Sequence, residues 1–148
     1  MLTWYHPFFN ELTLQQLYDL LALRSQVFVQ EQQCCYQDLD YKDQMAYHLL
    51  GYNKSQTLQA YARCYGLDDN FIAIGRVLVT PEQRHQGTGR ELVVQALHFC
   101  KTHYPSHTAV RINAQYHLLS FYQSLQFTAC GEPFDEEGIL HIRMERTL

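Results

Sequence analysis

The residues whose types and spacing best suit chemistry are Arg84-His85-Gln86-Gly87-Thr88-Gly89-Arg90. Two glycines one residue apart let the backbone take positive φ and lie close against a ligand. A helix that begins there offers unpaired N–H groups and a partial positive charge, which together bind phosphate oxygens. Arg84 and Arg90 add charge-assisted donors. The loop lacks the Lys of a Walker loop, GxxxxGK followed by Ser or Thr. It also departs from a dinucleotide fingerprint: the third glycine position is Leu92, and residues 80–86 separate the glycines from the preceding strand. A capped turn ahead of a helix is the other reading of two such glycines.

The remaining reactive side chains form no pattern as compact as this. Cys34 and Cys35 are adjacent, Cys64, Cys100 and Cys130 stand alone, and no CxxC pair exists. Five unpaired thiols read as a reduced, cytoplasmic chain with no metal site. Residues 1–7 carry neither the basic nor the apolar part of a signal peptide, and no apolar run reaches membrane-spanning length. The net charge is −4, which argues against nucleic acid as a partner. The 148 residues are enough for one domain, read here as 1–148, with a core that needs no staples. Hydrophobic residues at 47% and charged ones at 18% exclude a disordered segment.

Several elements must position the glycine loop. Leu2–Tyr5 is a short strand. Thr13 and Gln16 make a capping box for an amphipathic helix over about 13–30. Residues 31–45 read as a loop, and Ala46–Tyr52 and Thr57–Tyr65 as strands of a hairpin. Phe71–Val79 is a strand that looks buried on both faces, with Gly75 marking a bend or bulge. The loop then leads into a helix over about 88–103, ended by Tyr104-Pro105. Ala109–Ala114 is a strand, Tyr116–Leu125 a helix, and Phe127 opens another strand. Gly131–Gly138 reads as a loop and Ile139–Arg146 as the final strand. Hairpins followed by β-α-β crossovers give an α/β fold with a mixed sheet. Trp4 is expected to pack on the first helix.

With its flanks, the glycine loop resembles a known family. Val77-Leu-Val-Thr-Pro-Glu-Gln-Arg-His-Gln-Gly-Thr-Gly89 is similar to the pyrophosphate-binding motif of the GNAT superfamily of N-acetyltransferases. Ser120-Phe-Tyr-Gln-Ser-Leu-Gln-Phe127 resembles a second motif of that superfamily, with Gln126 where Gly is usual. A narrower resemblance, to the bacterial ElaA group, rests on Arg24, Val27–Val29, Glu31-Gln32, Cys35, Asp40, Asp43, His48–Gly51, Ala60–Arg63, Ala114-Gln115, Phe121-Tyr122 and Gly131–Ile142. These matches run over nearly the whole chain.

The resemblance implies a single-domain, mostly antiparallel twisted sheet around a β-α-β acyl-CoA-binding core. It implies acetyl-CoA as cosubstrate and acetyl transfer to a primary amine of a small molecule or polypeptide. The pyrophosphate would lie on Arg84, His85, Gln86, Gly87, Thr88, Gly89 and Arg90. The pantetheine arm would pair with the backbone of Val77, Leu78 and Val79 like an added strand. Gln115 takes a position where the superfamily often has Asn, and its amide can still hydrogen-bond. Tyr122 is the expected acid for the leaving thiolate, set against a half-buried packing aromatic. Glu31 is the chosen base, beside Asp40, Asp43 and His48, each of which also reads as a loop charge or packing residue. Asp135-Glu136-Glu137 caps an exposed turn or rims an amine-binding cleft. A homodimer is compatible with the 14% aromatic content. Two rivals stand beside the enzyme: a CoA-binding sensor with little or no transferase activity, and an ATP- or NAD-binding protein.

Overall fold

Thr13 caps the first helix through the box its spacing predicts. Its Oγ1 accepts from the Gln16 amide at 3.0 Å, and the Gln16 side chain accepts from the Thr13 amide at 3.0 Å. The computed structural model describes residues 1–148. Helix α1 (Leu14–Arg24) is α-helical, and Ser25–Glu31 continues it as a π-helical turn. A helix over 13–30 is therefore present, with its last turn widened.

Seven strands form one sheet: β1 (Thr3–Tyr5), β2 (Tyr47–Tyr52), β3 (Leu58–Gly66), β4 (Phe71–Val79), β5 (Ala109–Gln115), β6 (Thr128–Glu136) and β7 (Ile139–Thr147). Their order is β1-β2-β3-β4-β5-β7-β6. Every pairing is antiparallel except β4 with β5. That parallel pair is joined by the crossover helix α2 (Thr88–His103). The short helix α3 (Leu119–Gln123) leads from β5 to β6.

The pleat divides the core. Leu49 belongs with Leu92, Val93, Ala96, Ile72 and Val110 under α2, whereas its neighbour Leu50 joins Leu20, Leu23, Val27 and Leu78 under α1. Successive side chains point to opposite faces, so β2 is covered on both. Each fully buried leucine contributes about 1.5–3 kcal/mol of transfer free energy. No helix is long and apolar enough to cross a membrane.

Two irregularities in β4 shape the site. Tyr61 pairs with Leu78, but Arg63 pairs with Gly75, so β4 holds one extra residue there. This is a β-bulge, and Arg76 within it has φ of 53°. The expected bend near Gly75 is real, but its left-handed residue is the arginine. Second, β4 pairs with β5 only over Phe71–Ala73. Beyond Ala73 the strands part, and the edge of β4 that faced β5 is unpaired. The expectation that β4 is buried on both faces fails here: Ile72, Ile74 and Leu78 are buried while Gly75–Val77 and Val79 are half-exposed.

Three further expectations change. Tyr116–Leu118 is a 3-10 turn and α3 ends at Gln123. Gly131–Gly138 is not a loop: β6 runs on to Glu136 through a register shift between Cys130 and Phe134, leaving only Glu137 and Gly138 in the turn. Pro133 is tolerated because β6 is an edge strand. Trp4 serves the second long helix, donating from Nε1 to Glu91 of α2 at 2.8 Å.

Candidate active site

Where β4 and β5 part, a cleft of about 1430 Å³ opens. One wall is the free edge of β4, with Val77, Leu78 and Val79 on the cleft. Unpaired backbone groups in a strand seek partners, so this edge is a template for an extended ligand.

The glycine loop closes one end. Gly87 is the N-cap of α2 with φ of 85°, and no side chain caps the first amides of the helix. A Cβ at Gly87 would meet nothing within 4 Å, so its surroundings are open. Arg84, His85, Gly87, Gly89 and Arg90 line the cleft. Gln86 and Thr88 turn their side chains elsewhere: Gln86 donates to the Glu82 carbonyl at 2.5 Å, and the Thr88 hydroxyl to Gln83 Oε1 at 2.9 Å. Those two residues present only backbone to a ligand. Arg90 is steadied by the Ser124 hydroxyl at 3.2 Å.

Glu31 lies on the same cleft, but it is engaged. Its two oxygens take Arg84 Nη1 at 2.5 Å and Nη2 at 2.9 Å. This fork ties the π-helical turn to the glycine loop and leaves no oxygen uncommitted for proton abstraction. Asp43 and Asp40 are engaged too. Asp43 accepts from Arg24 at 2.7 Å and Arg63 at 2.8 Å, and Asp40 accepts from Arg63. Burial pushes both carboxyls up, but the arginine contacts outweigh it and hold them below the usual range. His48 is fully buried between Tyr61 and Asp43. Its Nε2 donates to the Asp43 carbonyl at 2.9 Å, so Nδ1 accepts from the Tyr61 hydroxyl at 2.7 Å. These three are framework.

Tyr122 projects from α3 and is 5% exposed. It packs edge-on to Phe121 and Phe127 and borders the cleft. Its hydroxyl has no hydrogen-bond partner within the protein, and burial pushes its pKa up to about 12. Gln115, at the end of β5, donates to Gln32 Oε1 at 3.2 Å and accepts from His117 at 2.9 Å.

The segment 32–46 forms a roof over the other end. Cys34 Sγ contacts the Glu137 carbonyl at 3.4 Å, joining the roof to the β6–β7 turn. Arg76 reaches back from the bulge to Asp38, with Nε at 2.8 Å from Oδ1. Asp135 caps the β6–β7 turn through the Gly138 amide at 3.2 Å, while Glu136 and Glu137 face the cleft. The run thus caps the turn and rims the cleft.

Residues 10–148 match the family model for the acetyltransferase (GNAT) domain. The chain belongs to the GNAT family. It is 42% identical to the protein ElaA of Escherichia coli over 99% of this chain and 97% of that one. The crystal structure of E. coli ElaA superposes with a TM-score of 0.92 at 40% identity, covering 99% of both chains. An acyl-CoA N-acyltransferase from Pseudomonas aeruginosa also gives 0.92, at 36% identity and 99% of both. A GNAT acetyltransferase from Elizabethkingia anophelis, solved with acetyl-CoA bound, shares the fold at 18% identity with a TM-score of 0.68, covering 99% of this chain and 98% of that one. As a GNAT protein, the chain is of the acyl-CoA-dependent N-acyltransferase class, and the donor of that class is an acyl-CoA.

Several residues of this GNAT cleft have no role legible in the sequence. Arg63, Arg76 and Tyr36 line it, and Asp38 anchors Arg76 beneath the roof. Arg63 stood inside the ElaA-like pattern, but no spacing rule pairs it with residues 20 and 23 positions away. His141 stood in the same pattern without an assigned role.

Proposed function

We propose that this chain transfers an acetyl group from acetyl-CoA to the nitrogen of a primary amine, on a small molecule or a polypeptide, with no covalent enzyme intermediate. The observation that carries the reading is the free edge of β4 leading, through the turn at Pro81–Gln83, into the glycine loop. Together they offer backbone partners for a pantetheine arm and then open, uncapped amides for a pyrophosphate. A Cβ at either glycine is not obstructed, so the loop holds room rather than a packed turn.

In this reading the backbone of Val77, Leu78 and Val79 pairs with the pantetheine amides. An N–H on that edge polarises the acyl carbonyl and stabilises its oxyanion. Arg84, His85, Gly87, Gly89 and Arg90, with the amides of Gln86 and Thr88, hold the pyrophosphate. Gln115 hydrogen-bonds the pantetheine or the acceptor. Tyr122 donates its proton to the departing sulfur. Glu31, the expected base, is better suited to fixing Arg84 in place. Acetyl-CoA supplies the thioester, an acyl group already activated for attack.

Calorimetry with acetyl-CoA, ATP and NAD tests the donor. The wild type should bind acetyl-CoA in the micromolar range, and Gly87→Asp or Gly89→Asp should weaken it at least tenfold by placing a carboxylate where phosphate oxygens sit. Mass spectrometry of ethanolamine, lysine and spermidine incubated with acetyl-CoA and enzyme then reads amide formation. Binding of ATP or NAD in place of acetyl-CoA would overturn the proposal.

A further inference from the structure

We infer that His141 is the base that takes the proton from the acceptor ammonium, with Glu136 as its counter-ion. This rests on the acetyl-transfer reading above and names the group that reading lacks. His141 sits on β7, on the wall of the cleft, 7% exposed. It is paired across the sheet with Gln115 on one side and Phe134 on the other. Its ring lies nearly parallel to that of Phe134, with 6.0 Å between centroids and 25° between planes.

The hydrogen bonding settles which nitrogen is basic. Nδ1 is 2.7 Å from the Ile139 carbonyl. A carbonyl only accepts, so Nδ1 carries the hydrogen and the lone pair of the neutral ring is on Nε2. No donor of the protein reaches Nε2. The group facing it is the Glu136 carboxylate, with Oε2 at 3.4 Å. Two acceptors face each other until Nε2 gains a proton, and the contact then becomes an ion pair. Glu31, Asp40 and Asp43 offer nothing comparable, since each is already held by arginine.

The step balances. The ammonium R–NH3+ gives one proton to Nε2. The freed lone pair attacks the acyl carbon, a C–N bond forms, and the carbonyl π pair moves to oxygen. On collapse the C–S bond breaks and its pair leaves on sulfur, which takes the Tyr122 proton. The second proton of the nitrogen restores Tyr122, and the proton on His141 passes to water. The products are the amide, the free thiol and one proton.

The test compares wild type, His141→Gln and His141→Ala. Glutamine keeps size and a donor for the Ile139 carbonyl but cannot act as a base. Both variants should bind acetyl-CoA with wild-type affinity, while kcat with the best amine of the panel falls on the order of 10²-fold or more. Added imidazole should restore part of the His141→Ala rate. Nitrogen-15 NMR of the free wild-type protein should show the proton on Nδ1 in the neutral ring. Undiminished turnover by His141→Gln, or a neutral ring protonated on Nε2, would overturn the assignment of His141 alone. A wild type that binds no acetyl-CoA would remove the acetyl-transfer reading and this inference together.

Discussion

The ring of Tyr122 packs edge-on to Phe121 and Phe127 beside the cleft, and its hydroxyl hydrogen-bonds to nothing in the protein. Burial raises its pKa to about 12, so the group is a donor at any working pH. An acid that weak matches a thiolate only if the sulfur is also desolvated, and a sulfur bound beside Tyr122 shares the same burial, which raises the thiol too. Tyr122→Phe should then leave acetyl-CoA affinity unchanged and lower kcat on the order of 10²-fold. It should also leave stability within about 0.5 kcal/mol, because no internal hydrogen bond is lost. Steady-state kinetics beside a urea titration separates these effects. Wild-type turnover in Tyr122→Phe would confine the residue to packing. Four residues on, Gln126 sits at φ of 68°, the left-handed conformation that explains why glycine is usual there.

At the scale of elements, the roof 32–46 is held by charge more than by apolar contact. Arg24 is fully buried, with Asp38 and Asp43 each at 2.7 Å; Arg63 shares Asp43, and Arg76 shares Asp38. This network fixes the bulge of β4 and the roof at once, so the cleft keeps its width. Removing one member strands the others: Asp43→Asn should cost about 3–5 kcal/mol. Glu145→Gln, which breaks the part-exposed pair with Arg111, should cost about 1 kcal/mol or less. Urea midpoints of the two variants check the contrast, and equal costs would show that the network is not what secures the roof. The same elements show what a sequence can carry. The capping box of Thr13, the bounds of β4 and the whole of α2 were legible, because caps, glycines and periodicity act over a few residues. So was the glycine loop that opens α2. The bulge at Arg76 and the pairing of Arg24 with Asp38 were not, since they depend on chain segments brought together only by folding. Gly131 and Pro133 read as loop residues, yet an edge strand accommodates them. His141 was visible as a letter in a motif; its role needs the Ile139 carbonyl and Glu136 beside it.

For the whole molecule, the buried titratable groups predict how stability follows pH. Burial is the largest influence on His48 and lowers its pKa from 6.5; His6 is lowered by burial and by the charges of His103 and His98. Below pH 6.5 the unfolded chain takes up protons that these folded imidazoles refuse, so stability falls as pH drops through that range. The carboxyl of Asp43 is held below its ordinary 3.8 by Arg24 and Arg63 against the opposing effect of burial. The unfolded carboxyl protonates first, and a second loss sets in below about pH 4. The expected curve is flat above neutrality, declines from about pH 6.5, and steepens below about pH 4. The pI near 6.0 brings a solubility minimum into the same range, so the curve must come from reversible urea unfolding and not from thermal aggregation. A urea midpoint constant from about pH 8 to pH 5 would show that His48 and His6 titrate alike in both states. The framework that holds the cleft would then owe nothing to keeping its imidazoles neutral.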